Sequence, residues 1–98
     1  MTIEAHTEIE DVPEARRYEM RLDGELIGFL EYLERDGNRV LTYVEVDPRH
    51  GGNGLGGRLT ETALKDCRER GFTVTPQCPF IVRYVREHPE HQDIVAPR

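Results

Sequence analysis

This chain of 98 residues lacks the features that mark several large classes of protein. It has no apolar run near the length of about 18 residues that a membrane-spanning helix needs. Met1-Thr2-Ile3-Glu4 shows no signal-peptide pattern. Only two cysteines are present, and in a cytosolic chain such a pair is typical of free thiols rather than of a disulfide. These absences predict a cytoplasmic protein that does not act in a membrane.

Basic residues are also few, and they are scattered. Lysine and arginine number 13 against 19 aspartates and glutamates, which gives a formal net charge of −6. The composition therefore argues against a nucleic-acid-binding surface and is compatible with a cationic partner. With 37% apolar and 33% charged residues, the chain predicts one soluble domain, residues 1–98, with a modest core.

Two common catalytic signatures are missing as well. No G-x-S-x-G elbow occurs, so a serine hydrolase of that type is excluded. A zinc site would have to be built from cysteines and histidines that contain no C-x-x-C pair. Those residues are Cys67, Cys78, His88 and His91. We therefore predict no metal site.

The feature around which the chain is organised is a glycine-rich stretch between residues 51 and 57. Glycine is costly in backbone entropy, so such a cluster predicts a tight turn that directs several backbone N–H groups to one place. The helix predicted to follow adds unpaired N–H groups and the positive end of its dipole. The stretch therefore predicts a cradle for a phosphate or pyrophosphate group. Its members are Gly51, Gly52, Asn53, Gly54, Leu55, Gly56 and Gly57.

Two familiar phosphate-binding patterns do not fit this stretch. A P-loop requires Gly-Lys-Ser/Thr after its second glycine, and here only Arg58 and Leu59 follow. The spacing from Gly52 to Gly57 matches the dinucleotide pattern G-x-G-x-x-G. That fold also requires an acid after the next strand, where Pro76-Gln77-Cys78 stands. The chain is also too short for a doubly wound sheet, so we reject both patterns.

Alternating polar and apolar residues predict strands before the glycine-rich stretch. The predicted strands are Arg17 to Leu22, Glu25 to Leu33 and Arg39 to Val46. Asp23-Gly24 and Asp36-Gly37-Asn38 are hairpin signals between them. We expect an antiparallel meander of three strands. Ile3-Glu4 and Glu8-Ile9-Glu10 add at most a frayed first strand.

The second half of the chain predicts two helices and one strand. A helix runs from Leu55 to about Arg70, and Gly71 ends it. A short strand follows at Phe72–Thr75, and a second helix begins with Pro79 in its first turn. Residues 96–98 form a tail. The apolar stripe of the first helix consists of Leu55, Leu59, Ala63, Leu64 and Cys67.

A third interpretation of the glycine-rich stretch accounts for its residues. Gly54-Leu55-Gly56 resembles the second half of the coenzyme A pyrophosphate loop of GNAT-superfamily N-acetyltransferases, Gln/Arg-x-x-Gly-x-Gly/Ala. The first position falls on Gly51, where the family usually has Arg or Gln. The cations nearby that would substitute for it are Arg49, His50 and Arg58.

A second stretch strengthens this resemblance. Cys78-Pro79-Phe80 and His88-Pro89 resemble the C-terminal part of small single-domain GNAT-like proteins, where a strand ends in Cys-Pro-Phe/Tyr and a helix ends in His-Pro. The resemblance covers roughly residues 8 to 95. It implies an α+β minimal GNAT fold, with an antiparallel three-stranded meander, a glycine loop, a central helix, a further strand and a C-terminal helix.

The resemblance also implies a cofactor and candidate site residues. Acetyl-CoA or CoA would bind through backbone groups of residues 51–57, and the strand end near Val46 would pair with the pantetheine arm. Cys78 would lie near the thioester as nucleophile, general acid or liner, and its place at a helix start favours the thiolate form. Tyr84 is the family's candidate for protonating the CoA thiolate, although its position also suits the core. Glu45 is a candidate base or water-positioning carboxylate, although a solvated strand residue is equally typical.

These features together predict an enzyme, an acetyl-CoA-dependent N-acetyltransferase. The expected reaction is direct attack by a primary amine on the thioester, and a route through acetyl-Cys78 is the minor alternative. A non-catalytic acyl-CoA-binding module is the rival function, because Gly51 replaces Arg or Gln and no N-terminal helices form an acceptor wall. The sequence identifies neither the amine acceptor nor the oligomeric state.

Overall fold

The computed structural model describes residues 6–97. Four strands come first, followed by a helix, a fifth strand and a second helix, and this mixed arrangement confirms the predicted α+β class. The strands are β1 Thr7–Val12, β2 Arg17–Leu22, β3 Glu25–Arg35, β4 Asn38–Val46 and β5 Thr73–Pro76. The helices are α1 Leu55–Glu69 and α2 Pro79–Glu87. Short 3-10 turns lie at Pro13–Ala15, Pro48–His50 and Pro89–Ile94.

The five strands form one sheet in chain order. β1 to β4 pair antiparallel, and β5 pairs parallel to β4. The hairpins close at Asp23-Gly24 and Asp36-Gly37, where all four residues have positive φ angles. Two consecutive positive φ angles are the geometry of a type I′ turn, which matches the twist of the flanking strands. The hairpin signals in the sequence are therefore confirmed.

The meander extends one strand further than the sequence predicted. Ile3 and Glu4 lie outside the described residues, but β1 pairs with β2 along its whole length. The strand pattern of β1 is weak in the sequence because two of its residues, Glu8 and Glu10, are acidic. These residues alternate with Ile9, which packs against the core. The meander thus has four antiparallel strands.

One face of the sheet, here called the inner face, packs against α1. The predicted apolar stripe of α1 is buried in full against strand residues such as Met20, Leu30 and Leu41. Gly71, with a φ angle of 75°, follows the end of α1 as predicted. The opposite, outer face carries the exposed side chains of Leu33 and Tyr43.

A bulge in β4 changes which side chains face inward. Glu31 pairs with Tyr43 and Tyr32 pairs with Leu41, so Thr42 is an extra residue on β4. Before the bulge the odd-numbered Leu41 faces inward, and after it the even-numbered Val44 packs against the core instead. The bulge therefore directs the side chains of Tyr43 and Glu45 to the outer face.

A buried arginine ties β4 to the rest of the fold. Arg39 is only 2% exposed, and its guanidinium donates to Glu34 Oε1 at 2.9 Å and to the Tyr18 hydroxyl at 2.7 Å. It also pairs with Asp11 at 3.0 Å. The Tyr18 hydroxyl in turn donates to Asp66 of α1 at 2.7 Å, and burial raises the pKa of this phenol. A buried charge with several partners is costly to disrupt, so this network fixes the start of β4.

The chain after α2 returns to the sheet. Pro89 ends α2, as predicted, and the turn Pro89–Ile94 brings Val95 beside Val74. Ala96 then donates its N–H to the Val74 carbonyl at 2.8 Å, so the predicted tail is docked as far as this residue. Within residues 6–97, no helix combines the length and the apolar character needed to cross a membrane.

Candidate active site

The glycine-rich stretch forms an open turn between β4 and α1. Gly52 and Gly54 have φ angles of 82° and 70°, a left-handed conformation that glycine adopts without strain. Apart from the adjoining residues of the chain, no atom of the described residues lies within 4 Å of the position that a Cβ would take at either glycine. Asn53 secures the turn by donating its side-chain amide to the His50 carbonyl at 3.0 Å. The turn is therefore well defined, and its surface has room for a ligand.

The start of α1 offers backbone donors to this open space. Gly54 is the N-cap residue, no side chain caps the helix, and its first turn has no acidic residue. The Arg58 N–H makes the first helical bond, to the Gly54 carbonyl at 3.1 Å. The N–H groups of Leu55, Gly56 and Gly57 precede it and have no acceptor within the helix. This geometry suits an anion such as a pyrophosphate.

Gly51 differs from the rest of the stretch. Its φ of −63° and ψ of 154° are extended, and its N–H donates to the Pro48 carbonyl at 3.1 Å. Arg49, one possible substitute for the missing cation, pairs with Asp47 at 2.6 Å and with Glu25 at 3.0 Å. Its hydrogen bonds lower the pKa of Asp47 to about 2. Gly51 and Arg49 are thus both engaged within the protein.

A cleft opens beside the turn because β4 is paired on both sides only along its first half. β5 follows β4 as far as Leu41, opposite Pro76. The N–H groups of Gln77 and Cys78 then both point to the Leu41 carbonyl, at 3.0 and 3.4 Å. From Thr42 onward, β4 has a strand partner only in β3 among the described residues. The cleft along this edge has a volume of about 250 Å³ and is lined by Val44, Glu45, Val46, Gly56 and Phe80.

Phe80 forms a wall of this cleft that the sequence analysis did not assign. A Cβ on Gly56 would lie 3.3 Å from Phe80 Cζ, and one on Gly57 would lie 3.5 Å from Tyr84 Cε2. Neither glycine has a positive φ angle. These two glycines therefore allow the aromatic rings of α2 to approach the first turn of α1. The spacing of Phe80 and Tyr84, four residues apart on one helix, was the available signal.

The two cysteines occupy different environments. Cys78 is the N-cap residue of α2, is half-buried, and stands where β5 separates from β4. Cys67 is fully buried in the stripe of α1, and burial raises the pKa of its thiol. The structure thus places Cys78 near the cleft and Cys67 in the core.

Glu45 stands between two clefts. Its exposed side chain lines the cleft along the β4 edge and also a second cleft of about 310 Å³ on the outer face. The Tyr43 hydroxyl donates to Glu45 Oε1 at 2.7 Å, and this bond raises the pKa of the Tyr43 phenol. The remaining residues of the second cleft are Leu26, Ile27, Gly28, Phe29, Asp47 and Pro48. Sequence reasoning singled out Glu45 but gave Tyr43 no role.

Tyr84 is engaged between the two helices. Its hydroxyl donates to Glu61 Oε1 at 2.6 Å, and burial together with this bond raises the pKa of the phenol. The ring stacks on His88 with centroids 3.8 Å apart. Tyr84 supports α1 through Gly57 and Glu61, whereas Phe80 rather than Tyr84 lines the cleft.

Glu61 also joins the turn after α2. His91 is buried, and its Nε2 lies 2.8 Å from Glu61 Oε1. Burial opposes ionisation of Glu61, but the hydrogen bonds with Tyr84 and His91 outweigh it and lower the pKa of the carboxyl. Glu61, Glu90 and His91 bring potential metal-ligand atoms within 4.8 Å of one another. Because Glu61 Oε1 already binds Tyr84 and His91, this cluster acts as a tether between elements.

Comparison with known proteins agrees with this geometry. A model of the family described as GCN5-related N-acetyl-transferase matches residues 17–94, which include strands β2 to β5, the glycine turn and both helices. The chain therefore belongs to the GCN5-related N-acetyltransferase family, as the resemblance of its motifs implied. No curated protein sequence gives a significant match.

Solved structures share the fold at low sequence identity. The NMR structure of a GCN5-like protein of the N-acetyltransferase type from Staphylococcus aureus has a TM-score of 0.72 at 17% identity, covering 96% of this chain and 92% of that one. The ribosomal-protein-alanine N-acetyltransferase of Brucella melitensis has a TM-score of 0.58 at 17% identity, covering 84% and 62%. PaiA N-acetyltransferase of Thermoplasma acidophilum, in complex with coenzyme A, has a TM-score of 0.52 at 23% identity, covering 57% and 35%.

Proposed function

We propose that this protein transfers the acetyl group of acetyl-CoA to a primary amine. The observation that carries the proposal is the uncapped N-terminus of α1 beside the unpaired edge of β4. The first offers N–H donors for a pyrophosphate, and the second offers N–H and C=O groups for an extended chain that contains amides. CoA has both groups, and two structurally similar proteins were solved with CoA bound.

The residues that would hold CoA follow from this arrangement. The open space beside Gly52 and Gly54 would receive the pyrophosphate, with N–H groups of residues 52–57 as donors. The β4 edge near Val46 would bind the pantetheine arm, and the Phe80 ring would cover it. Gly51 would shape the turn rather than donate, because its N–H is already bound to Pro48.

Bound acetyl-CoA would supply an activated thioester, and the protein would supply a base and an oxyanion donor. Glu45 would take a proton from the substrate ammonium and so convert it to the nucleophilic amine, since Glu45 lines both the CoA cleft and the cleft on the outer face. Backbone N–H groups at the unpaired β4 edge would stabilise the charge on the thioester oxygen. The neutral amine would then attack the thioester carbonyl directly, the C–S bond would break and CoA would leave as its thiolate, with no covalent enzyme intermediate.

Cys78 and Tyr84 have secondary places in this proposal. Cys78, at the start of α2, would line the thioester site, and its acetylation is the minor alternative route. Tyr84 would have to exchange its bond to Glu61 for one to the CoA sulfur before acting as an acid. Its position therefore favours a supporting role in the packing of α2 on α1.

The acceptor is proposed to be a cationic amine. The chain carries a net charge of −6, and the outer face around the second cleft includes Glu45 and the neighbouring Glu31, opposite Tyr43. Carboxylates beside aromatic rings attract an ammonium group by charge and by contact with the ring face. An acidic amine is expected to be a poor acceptor.

One observation favours the non-catalytic alternative. Neither Gly51 nor Arg49 offers a free cation or donor to the pyrophosphate in this structure. Weak CoA binding without turnover would result if the turn alone held the ligand.

The experiment that tests the proposal combines turnover with thermal stability. The protein is incubated with acetyl-CoA and a panel of primary amines, and acetylated amine is measured by mass spectrometry. In parallel, CoA at a hundredfold excess over its Kd should stabilise the fold by about 2.7 kcal/mol, whereas adenosine should not. A shift without turnover would support the binding module. No shift and no turnover would refute both functions.

A further inference from the structure

We propose that Tyr43 is a positioning residue that holds the Glu45 carboxylate for acetyl transfer, an inference that rests on the function proposed above. Tyr43 is 44% exposed on the outer face, so burial does not fix its side chain. Its hydroxyl donates to Glu45 Oε1 at 2.7 Å. Tyr43 itself transfers no proton in this proposal.

The bulge at Thr42 places the two side chains together. Without the extra residue, β4 would continue the alternation of Leu41 and Tyr43 would point into the core. With it, Tyr43 and Glu45 are successive residues on the outer face, which brings phenol and carboxylate into hydrogen-bonding distance. The Thr42 hydroxyl donates to the Glu31 carbonyl at 3.1 Å and so binds the bulge to β3.

Neighbouring strands hold the Tyr43 ring. Its centroid lies 6.0 Å from that of Phe29, with the ring planes inclined at 46°. The Arg17 guanidinium covers Phe29 at 4.8 Å from its centroid. Arg17 and Phe29 thus restrain the Tyr43 ring. The Tyr43 hydroxyl in turn restrains the exposed Glu45 carboxylate, which would otherwise sample several rotamers.

The protonation state of the Tyr43 phenol suits a positioning role. The bond to the Glu45 carboxylate raises the pKa of the Tyr43 phenol, and Glu31 and Cys78 are near enough to add to this effect. Tyr43 therefore stays protonated and remains a donor at neutral pH. Cys78 stands where β5 leaves β4, so the pair is near the point where the CoA cleft begins.

The test is a double-mutant cycle on acetyl transfer. Tyr43→Phe retains the ring but removes the hydroxyl, and it should lower kcat about tenfold, the size of one hydrogen bond to a charged group. The KM for acetyl-CoA should not change. In a Glu45→Gln background the same change should have little further effect, because the hydroxyl acts through the carboxylate. Leu33→Ala, a change at another exposed apolar side chain of the outer face, is the control.

A second measurement reports on the pair without activity. Titration of the Tyr43 ring resonance by NMR should show a lower phenol pKa in Glu45→Gln than in the unmodified protein. Equal titration in both proteins, equal kcat in Tyr43→Phe, or a full tenfold loss in the Glu45→Gln background would each overturn the inference. An unmodified protein that acetylates no amine would overturn the proposed function, and the inference with it, whatever the titration shows.

Discussion

The two halves of β4 differ in their strand pairing and in their access to solvent. The first half, from Asn38 to Leu41, has a strand on each side, and the buried Arg39 in it contacts four polar partners. Within residues 6–97, the second half, from Thr42 to Val46, has one strand partner, and it faces a cleft. One strand thus provides both a fixed anchor and an unpaired edge. The first half is held in place by its neighbours, while the other half remains accessible to a ligand.

The first half should be the more costly to disturb. Arg39→Met removes the charge that Asp11, Glu34 and the Tyr18 hydroxyl share, so we expect a loss of about 3–5 kcal/mol in the free energy of unfolding. Urea unfolding measures it, and Arg35→Met, at an exposed position, is the control. CoA should still stabilise the fraction of the Arg39→Met variant that remains folded. A loss no larger than that of the control would show that Arg39 is not an anchor.

The second half and the glycine turn should show the opposite behaviour. Gly54→Val should weaken CoA binding at least about a hundredfold, or ~2.7 kcal/mol, because the side chain would fill the open space of the turn. Gly24→Val is a matched control, since Gly24 also has a positive φ angle, of 86°, and open space around its Cβ position. Both variants carry similar backbone strain, so only CoA affinity, measured by calorimetry, should separate them. Equal affinities would exclude the turn as the cradle.

The two cysteines provide a third comparison. Cys78 should react with iodoacetamide at least about tenfold faster than Cys67, because only Cys78 is accessible and burial disfavours the Cys67 thiolate. CoA should slow the labelling of Cys78, as peptide mapping would show. Cys78→Ser should retain acetyl transfer if the amine attacks directly. Faster labelling of Cys67, or no protection by CoA, would remove Cys78 from the site.

The smallest expected effect concerns the helix pair behind the glycine turn. Burial opposes ionisation of Glu61, but its hydrogen bonds with Tyr84 and His91 outweigh that effect and lower the folded-state pKa of the carboxyl. Its stabilising effect is therefore present above the pKa of the unfolded state and is lost as pH falls through the folded pKa. Glu61→Gln should therefore destabilise the protein by about 1 kcal/mol at pH 6, and the difference should shrink as the pH is lowered and the Glu61 carboxylate becomes protonated. Urea unfolding across this range measures the difference, with the exposed Glu69→Gln as control. A difference independent of pH would contradict the assignment.

Local signals in the sequence predicted much of the fold. Asp23-Gly24, Gly71 and Pro79 each mark a turn or helix end by the backbone angles they permit, and those elements end where expected. The buried network could not be predicted in this way. Arg39 and Asp11 belong to residue types that are usually solvated, and only the register of four strands and α1 brings them together.

In the candidate site, too, features encoded in consecutive residues could be predicted, and features that depend on tertiary contacts could not. Glycine-rich residues and their position before a helix predicted the turn, because this signal lies in consecutive residues. The places of Tyr43 and Phe80 in the candidate site were not predicted, because they depend on a bulge at Thr42 and on the approach of α2 to α1. The roles of Cys78, Glu45 and Tyr84 stay predictions.

The contact between Gly56 and Phe80 restricts how this protein can change. A Cβ at position 56 would lie 3.3 Å from Phe80 Cζ. A larger residue at position 56 therefore requires the Phe80 ring to move or a smaller side chain to replace it. Close neighbours of this kind do not contribute independently to stability. Substitutions at positions 56 and 80 are therefore expected to be coupled in their effects on stability. A larger residue at position 56 alone overpacks the contact between α1 and α2, and a smaller residue at position 80 alone underpacks it.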